Sequence, residues 1–350
     1  MNRLLEAQSV SIEGKSFYKT IGIAEILQRL RASKASKSLL NALPASERYV
    51  PLLRGAISEA ICRIAYGRGD MPLTVGIETV AACNRGCSYC TVPTSSFKQS
   101  RPEKLMSPDL FTKVLDQLSQ IPRRNGKRGF CGTLHLNGFG EPLLDPKILQ
   151  RVREAKRMLP EATIGFYSNG DKLDEKTYLL LRAAGAQEII MTPHDGSFRQ
   201  EIIELAQRYS QDGILVLNAP LSSFSNRAGQ VSVDRDHMQN PIKYCVHPTY
   251  ALEISASGIV LYCANDSLVT QPMGDLKQQA IMEAWDAPGY AKLRSDLRKG
   301  NLDSLPQSCM SCRSTSSVGN AEIQLAEQTT SLQKIHNRYV FVSNHSIDII

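Results

Sequence analysis

The sequence predicts an α/β fold: a parallel sheet with helices outside it, a helical N-terminal extension before it, and a small cysteine-bearing module after it. Three observations carry this. From residue 74 onward, short β-type apolar runs alternate with longer amphipathic runs. Helix-start signals stand between them. Seven of the nine cysteines fall into two groups instead of being scattered.

Residues 1–73 are expected to be mostly helical. Ile23, Ile26, Leu27 and Leu30 mark one helical face, and Pro51 to Ala65 repeats the spacing with Leu52, Leu53, Ile57, Ile61 and Ile64. Gly67 and Gly69 then break the chain. Strands are expected at Thr74–Val80, Thr133–Asn137, Thr163–Tyr167, Glu188–Thr192 and Ile214–Leu217. Helices are expected between them at Pro108–Gln120, Pro146–Met158, Glu175–Ala184 and Phe198–Tyr209. Pro108 and Pro146 stand at helix starts, preceded by the capping-type residues Ser107 and Asp145. Sites in such folds lie at the C-terminal ends of the strands. Residues 220–244 are polar and irregular, 245–312 hold a hairpin pattern around Ser257 and Gly258, and 313–350 are a polar tail with one apolar run, Tyr339–Val342. The expected units are therefore 1–73, 74–220, 221–312 and 313–350.

Composition narrows the function classes. The chain has 350 residues, 42% hydrophobic and 21% charged, enough for a real core. No apolar run is long enough for a membrane span, and the N-terminus does not read as a signal peptide, so a cytoplasmic protein is expected. The formal net charge of +7 is spread, without a block of like charges, so nucleic acid is not the expected partner. In a reducing compartment, clustered cysteines point to metal before disulfides. Cys62 and Cys131 stand alone and are expected to be buried small hydrophobes.

The first group is Cys83, Cys87 and Cys90, on one short loop directly after the first strand. Three thiolates can hold three corners of a cubane cluster and leave one iron open; a closed zinc site wants four ligands. Gly86 allows the loop to bend. This C-x-x-x-C-x-x-C, with Tyr89 before the last cysteine, resembles the signature of the radical S-adenosylmethionine (SAM) superfamily. The resemblance covers about residues 74–220. It implies a partial (β/α)6 TIM-like barrel and a SAM-binding 4Fe-4S cluster. Gly138, Phe139, Gly140, Glu141 and Pro142 look like the family's GGEP stretch, whose backbone and carboxylate bind the SAM amino group. A carboxylate suits an ammonium, and glycines allow close approach. Ser168 and Asn169 stand where the family has a polar contact to SAM. Thr192, His194 and Asp195 stand where it presents ribose- or substrate-facing groups.

The second group is Cys245, Cys263, Cys309 and Cys312. Four thiolates suit either a fully ligated cluster or zinc. Leu252 to Cys263, Gly274 to Leu276, Ala284-Trp285 and the closing C-x-x-C resemble the SPASM and twitch domains of radical SAM enzymes. No cysteine follows Cys312, so the shorter twitch form with one auxiliary 4Fe-4S cluster is implied. A cluster without an open iron suits electron transfer. The resemblance implies a radical SAM oxidoreductase that abstracts hydrogen from a small polyol, aminosugar or related molecule. Its auxiliary cluster would accept the electron, and a flavodoxin- or ferredoxin-type protein would be the reductant. The alternatives are a peptide-modifying maturase acting on a peptide substrate, and a radical epimerase.

Overall fold

The computed structural model describes residues 9–12, 15–18, 49–194, 197–218, 226–231, 245, 247–299, 301, 305–312, 332–335 and 338–341. Two short strands, β1 (Ser9–Ile12) and β2 (Lys15–Tyr18), pair antiparallel with each other. Ten others form one mixed sheet. They are β3 (Thr74–Ile77), β4 (Thr133–His135), β5 (Thr163–Ser168), β6 (Glu188–Met191), β7 (Leu215–Asn218), β8 (Ala251–Ile254), β9 (Ile259–Leu261), β10 (Pro272–Asp275), β11 (Leu332–Ile335) and β12 (Arg338–Phe341). The spatial order is β10-β9-β8-β3-β4-β5-β6-β7-β12-β11.

Six of these strands are parallel neighbours. β3 to β7 follow chain order, as the alternation of strand and helix requires, and β8 lies beside β3. The sixth parallel strand thus comes from the C-terminal module and closes on the first strand. β9 and β10 continue it antiparallel, turning at Gly258, whose φ of +87° is the left-handed geometry a tight hairpin asks for.

The two faces of this sheet differ. Val75, Ile77, Leu134, Leu136, Ile164, Phe166, Ile189 and Leu252 are fully buried. The alternate positions carry Gly76, Glu78, His135, Gly165, Tyr167, Glu188 and Glu253. A parallel sheet in a plain core is apolar on both sides. A polar second face at period two means that this side lines a site.

Helices cover the apolar face for local reasons. Ser107 accepts from Leu110 N at 3.2 Å and starts the helix Pro108–Ser119, which buries Leu110, Phe111, Val114, Leu115 and Leu118. Asp174 caps Glu175–Ala184, and Gly185 at φ +106° ends it. The helix expected from Pro146 begins at Ile148 instead. Asp145 accepts from Lys147 N and pairs with Arg151 at 2.7 Å, both side chains buried, so its carboxylate fixes the helix through an ion pair. The helix expected at Phe198–Tyr209 is likewise shorter, Gln200–Arg208.

A helix forms at Tyr49–Tyr66, while Ser9–Ile12, whose SVSI alternates as a pleat does, and Lys15–Tyr18 are strands that pair with each other. The apolar face Ile23 to Leu30 lies outside the described residues, as do Asp195 and most of 220–244. The tail, expected to be polar with one apolar run at Tyr339–Val342, contributes β11 and β12, with β12 antiparallel to β7. Cys62 and Cys131 are buried singles, as expected. Trp285, with no exposure, donates to Asp70 O at 2.7 Å, and the Arg294 guanidinium lies 4.0 Å above its ring. This anchors the C-terminal module at the start of β3.

Replacing Asp145 by Ala should leave the Arg151 guanidinium buried without its carboxylate. The expected loss is about 3 kcal/mol by chemical denaturation, and an unchanged midpoint would show that the pair does not position this helix.

Candidate active site

The three-cysteine loop follows β3. Cys90 N donates to Cys87 O at 3.0 Å, which folds the loop back on itself. Burial, helped by the Glu141 carboxylate and by Cys90 and Cys87, pushes the Cys83 thiol up. A thiol held this way ionises readily only when a cationic group joins it, which suits Cys83 as a ligand to an iron cluster. Cys83 Sγ accepts from Arg85 N at 3.4 Å and from Asn169 Nδ2 at 3.8 Å. Arg85 forks onto Asp171 at 2.6 and 2.8 Å, and Asn84 reaches the same carboxylate at 2.7 Å. The Arg85 guanidinium holds the Asp171 carboxyl below its ordinary range. The loop is therefore clamped to the turn after β5. Tyr89 is buried, and its hydroxyl shares a 2.5 Å hydrogen bond with His194 Nδ1, which ties the loop to the end of β6.

The Gly138–Pro142 turn leaves β4 and is fitted to β3. A Cβ on Gly140 would overlap the Val80 carbonyl, and one on Gly138 would come within 2.7 Å of Glu78 Cβ. These glycines are thus required first by chain-to-chain contact, before any approach to a ligand. Glu141 N donates to Ala82 O at 2.8 Å, one residue before Cys83. Pro142 opens a short 3-10 turn that Glu141 caps.

The Glu141 carboxylate is buried and accepts from Leu143 N, Ser168 Oγ and Asn169 N at 3.0, 2.8 and 2.8 Å. Burial raises its pKa against these bonds. Ser168 also accepts from Gly170 N, so its hydroxyl is engaged within the protein. Thr192 is buried and donates its N–H to Ser168 O at 3.1 Å. The residues expected around SAM thus converge, and Glu141 and Ser168 hold one another.

One buried ion pair joins this turn to the C-terminal module. Glu78 and Arg101 are almost fully buried and meet at 2.9 Å. Glu78 also accepts from Phe139 N at 3.1 Å and from Ala256 N at 3.3 Å, beyond β8. Arg101 donates to Ser267 O at 3.0 Å and to Asp266 O at 3.4 Å. Its guanidinium lies 5.6 Å from the Phe97 and Phe139 ring centres, and Arg227 lies 5.7 Å from Phe139.

The second cysteine group also converges. Burial and the sulfurs of Cys245, Cys312 and Cys309 hold the Cys263 thiol well above its ordinary range, and burial with Cys245 and Cys312 pushes Cys309 up to about 12. Cys312 is buried. The Tyr262 hydroxyl donates to Ser308 Oγ at 2.5 Å, and Asn226 Nδ2 donates to Ser311 O at 2.8 Å. Four crowded thiols fit a multiply charged metal group.

Sequence reasoning missed Glu78, Arg101, Arg85, Asn84 and Asp171. Glu78 had a signal: a carboxylate at the end of an otherwise apolar strand. Arg101 had none, because its partners lie 23 and 166 residues away. Arg101→Met should leave Glu78 buried and unpaired, costing about 3–5 kcal/mol in denaturation of the reconstituted protein. It should also weaken SAM binding through Phe139. A loss below about 1 kcal/mol with unchanged SAM affinity would contradict a joining role.

Comparison with known proteins accords with this geometry. The model of the radical SAM superfamily matches residues 77–214, and that of an iron-sulfur cluster-binding domain, SPASM, matches 245–313. The S-adenosyl-L-methionine-dependent 2-deoxy-scyllo-inosamine dehydrogenase of Niallia circulans is 27% identical over 260 residues, 73% of this chain and 95% of that one. The crystal structure of BtrN in complex with AdoMet and 2-DOIA superimposes with a TM-score of 0.60 at 27% identity, covering 72% of this chain and 96% of that one. SeMet BtrN in an open conformation gives 0.52 at 25% identity, covering 70% and 94%. Among the described residues no helix is long and apolar enough to cross a membrane. SAM and a 4Fe-4S cluster go with the first matched domain, and an auxiliary iron–sulfur cluster with the second. The chain belongs to the radical SAM superfamily and carries a C-terminal SPASM-type iron–sulfur domain.

Proposed function

We propose that the protein is a radical SAM dehydrogenase that oxidises an alcohol of a small aminocyclitol or related polyol. The observation that carries this is the pair of cysteine sets, one of three thiols and one of four, joined through Arg101 and Glu78. When bound, the groups supply one electron to cleave SAM to a 5'-deoxyadenosyl radical and a sink for one electron from the substrate. Cys83, Cys87 and Cys90 hold the first cluster. Cys245, Cys263, Cys309 and Cys312 hold the second.

The other residues bind and orient. The Gly138–Pro142 backbone and Asn169 face SAM, while Glu141 and Ser168 fix the two turns that carry them. Tyr89 and His194 lock the cysteine loop to β6. The Asn169 amide directed at Cys83 Sγ tunes the first cluster, since hydrogen bonds to cluster sulfurs shift its potential. The Niallia circulans relative is a dehydrogenase of 2-deoxy-scyllo-inosamine, an aminocyclitol, which weighs for a small molecule over a peptide. A flavodoxin- or ferredoxin-type protein is the electron donor, and the net charge of +7 suits such an acidic partner.

Anaerobically reconstituted protein should hold about eight irons, and the Cys83, Cys87 and Cys90 triple Ala variant about four, with no SAM cleavage. With 2-deoxy-scyllo-inosamine, SAM and a low-potential reductant, 5'-deoxyadenosine and a ketone should form in equal amounts. Cleavage by the triple variant would remove the cluster assignment. Product at the substrate's own oxidation level would replace dehydrogenation by epimerisation.

A further inference from the structure

One row of the sheet's polar face takes no part in the cysteine sites. Glu253 on β8, Gly76 on β3, His135 on β4, Gly165 on β5 and Glu188 on β6 are Cα partners across four successive parallel pairs. All five project to the same side. Long polar residues alternate with glycines, and the alternation is required. A Cβ on Gly76 would overlap Glu253 Oε2, and one on Gly165 would stand 2.9 Å from Glu188 Cβ. His135 Nε2 and Glu188 Oε2 meet at 3.4 Å, and the His135 ring lies edge-on to Tyr167, 5.2 Å between centres.

Glu253 differs from its neighbours. Among the described residues it has neither a hydrogen-bond nor an ionic partner. It is enclosed by protein yet keeps intermediate accessibility, the combination of a group that faces an interior space. The groups that act on it are Glu78, one layer along β3, and Tyr290, from the helix Pro288–Lys299. Glu78 is already matched by Arg101, and Glu188 is met by His135. The Tyr290 hydroxyl is buried and is also without a partner. Burial, then Glu78, pushes the Glu253 carboxyl up to about 8. A carboxyl enclosed by protein and a buried hydroxyl are costly to leave unpaired. Either ordered water or a ligand group must satisfy them.

We propose that Glu253, with Tyr290 beside it, is the subsite for the substrate's amino group, taken as an ammonium ion. The His135–Glu188 pair receives a neighbouring hydroxyl. The inference rests on the small-molecule reading above and deepens it. An ammonium brings the one charge this row lacks, and its three N–H groups can reach both oxygens. Water supplies no charge and would leave Glu253 protonated. Because the free carboxyl titrates at about 8, it is mostly protonated at pH 7. Ammonium binding favours the ionised form and therefore releases a proton.

The test is isothermal titration of the reconstituted, SAM-bound enzyme at pH 7, in two buffers of different ionisation heat. The ligands are 2-deoxy-scyllo-inosamine and the same cyclitol with hydroxyl in place of the amine. The amine should bind about tenfold tighter or more and release about one proton; the hydroxyl analogue should release none. Glu253→Gln should abolish the release and weaken the amine about tenfold or more, leaving the analogue, SAM binding and iron content unchanged. Buffer-independent binding of the amine to the wild type, needing no variant, would show that Glu253 holds water only. So would a Glu253→Gln variant that binds and turns over the amine as the wild type does, which would leave the dehydrogenase reading standing. Failure of the wild type to bind either cyclitol would remove that reading and this inference together.

Discussion

The Glu78–Arg101 ion pair is the constraint on which the rest of the site depends. Neither group can be left alone in a region this dry, so each must find the other, and the chain is obliged to bring residues 78 and 101 together. Their remaining bonds then fix three separate segments. Phe139 N belongs to the turn after β4, Ala256 N to the β8–β9 hairpin, and the Asp266 and Ser267 carbonyls to the loop after Cys263. The cation also packs against Phe97 and Phe139. One charge pair thus sets where the two cysteine sites stand relative to each other. An apolar pair could fill the volume but could not direct five hydrogen bonds.

The sheet serves both purposes because its faces are divided. The apolar face holds the helices; the polar face holds the chemistry. Parallel pairing keeps positions 76, 135, 165, 188 and 253 level, so residues far apart in the chain form one row. Glycines within that row make room for the polar side chains beside them. β8 completes the arrangement by bringing the C-terminal module against β3. That contact, with Trp285 and Arg294 below it, makes the iron–sulfur module part of the same sheet.

Much of this was legible in the sequence. Five parallel strands, four helices, the β8–β9 hairpin and both cysteine groups follow from period, caps and spacing. Their boundaries were extended by one to three residues at several ends. The N-terminal strands Ser9–Ile12 and Lys15–Tyr18 and the tail strands were not legible, since pairing with a partner strand decides them more than local preference does. At the site, spacing identified the thiols and the Gly138–Pro142 turn. It could not show that Glu141 and Ser168 bond to each other, or that Glu253 is left unpaired, because both depend on contacts across strands.

If the four-cysteine module takes an electron from the substrate after hydrogen is removed, loss of its cluster must separate hydrogen abstraction from oxidation. The direct measurement uses a folded Cys309→Ala or Cys312→Ala variant, with circular dichroism and iron content checked, and substrate deuterated at the reacting carbon. Deuterium should then appear in 5'-deoxyadenosine without a matching yield of oxidised product. Full product yield from a variant that lacks the second cluster would contradict it.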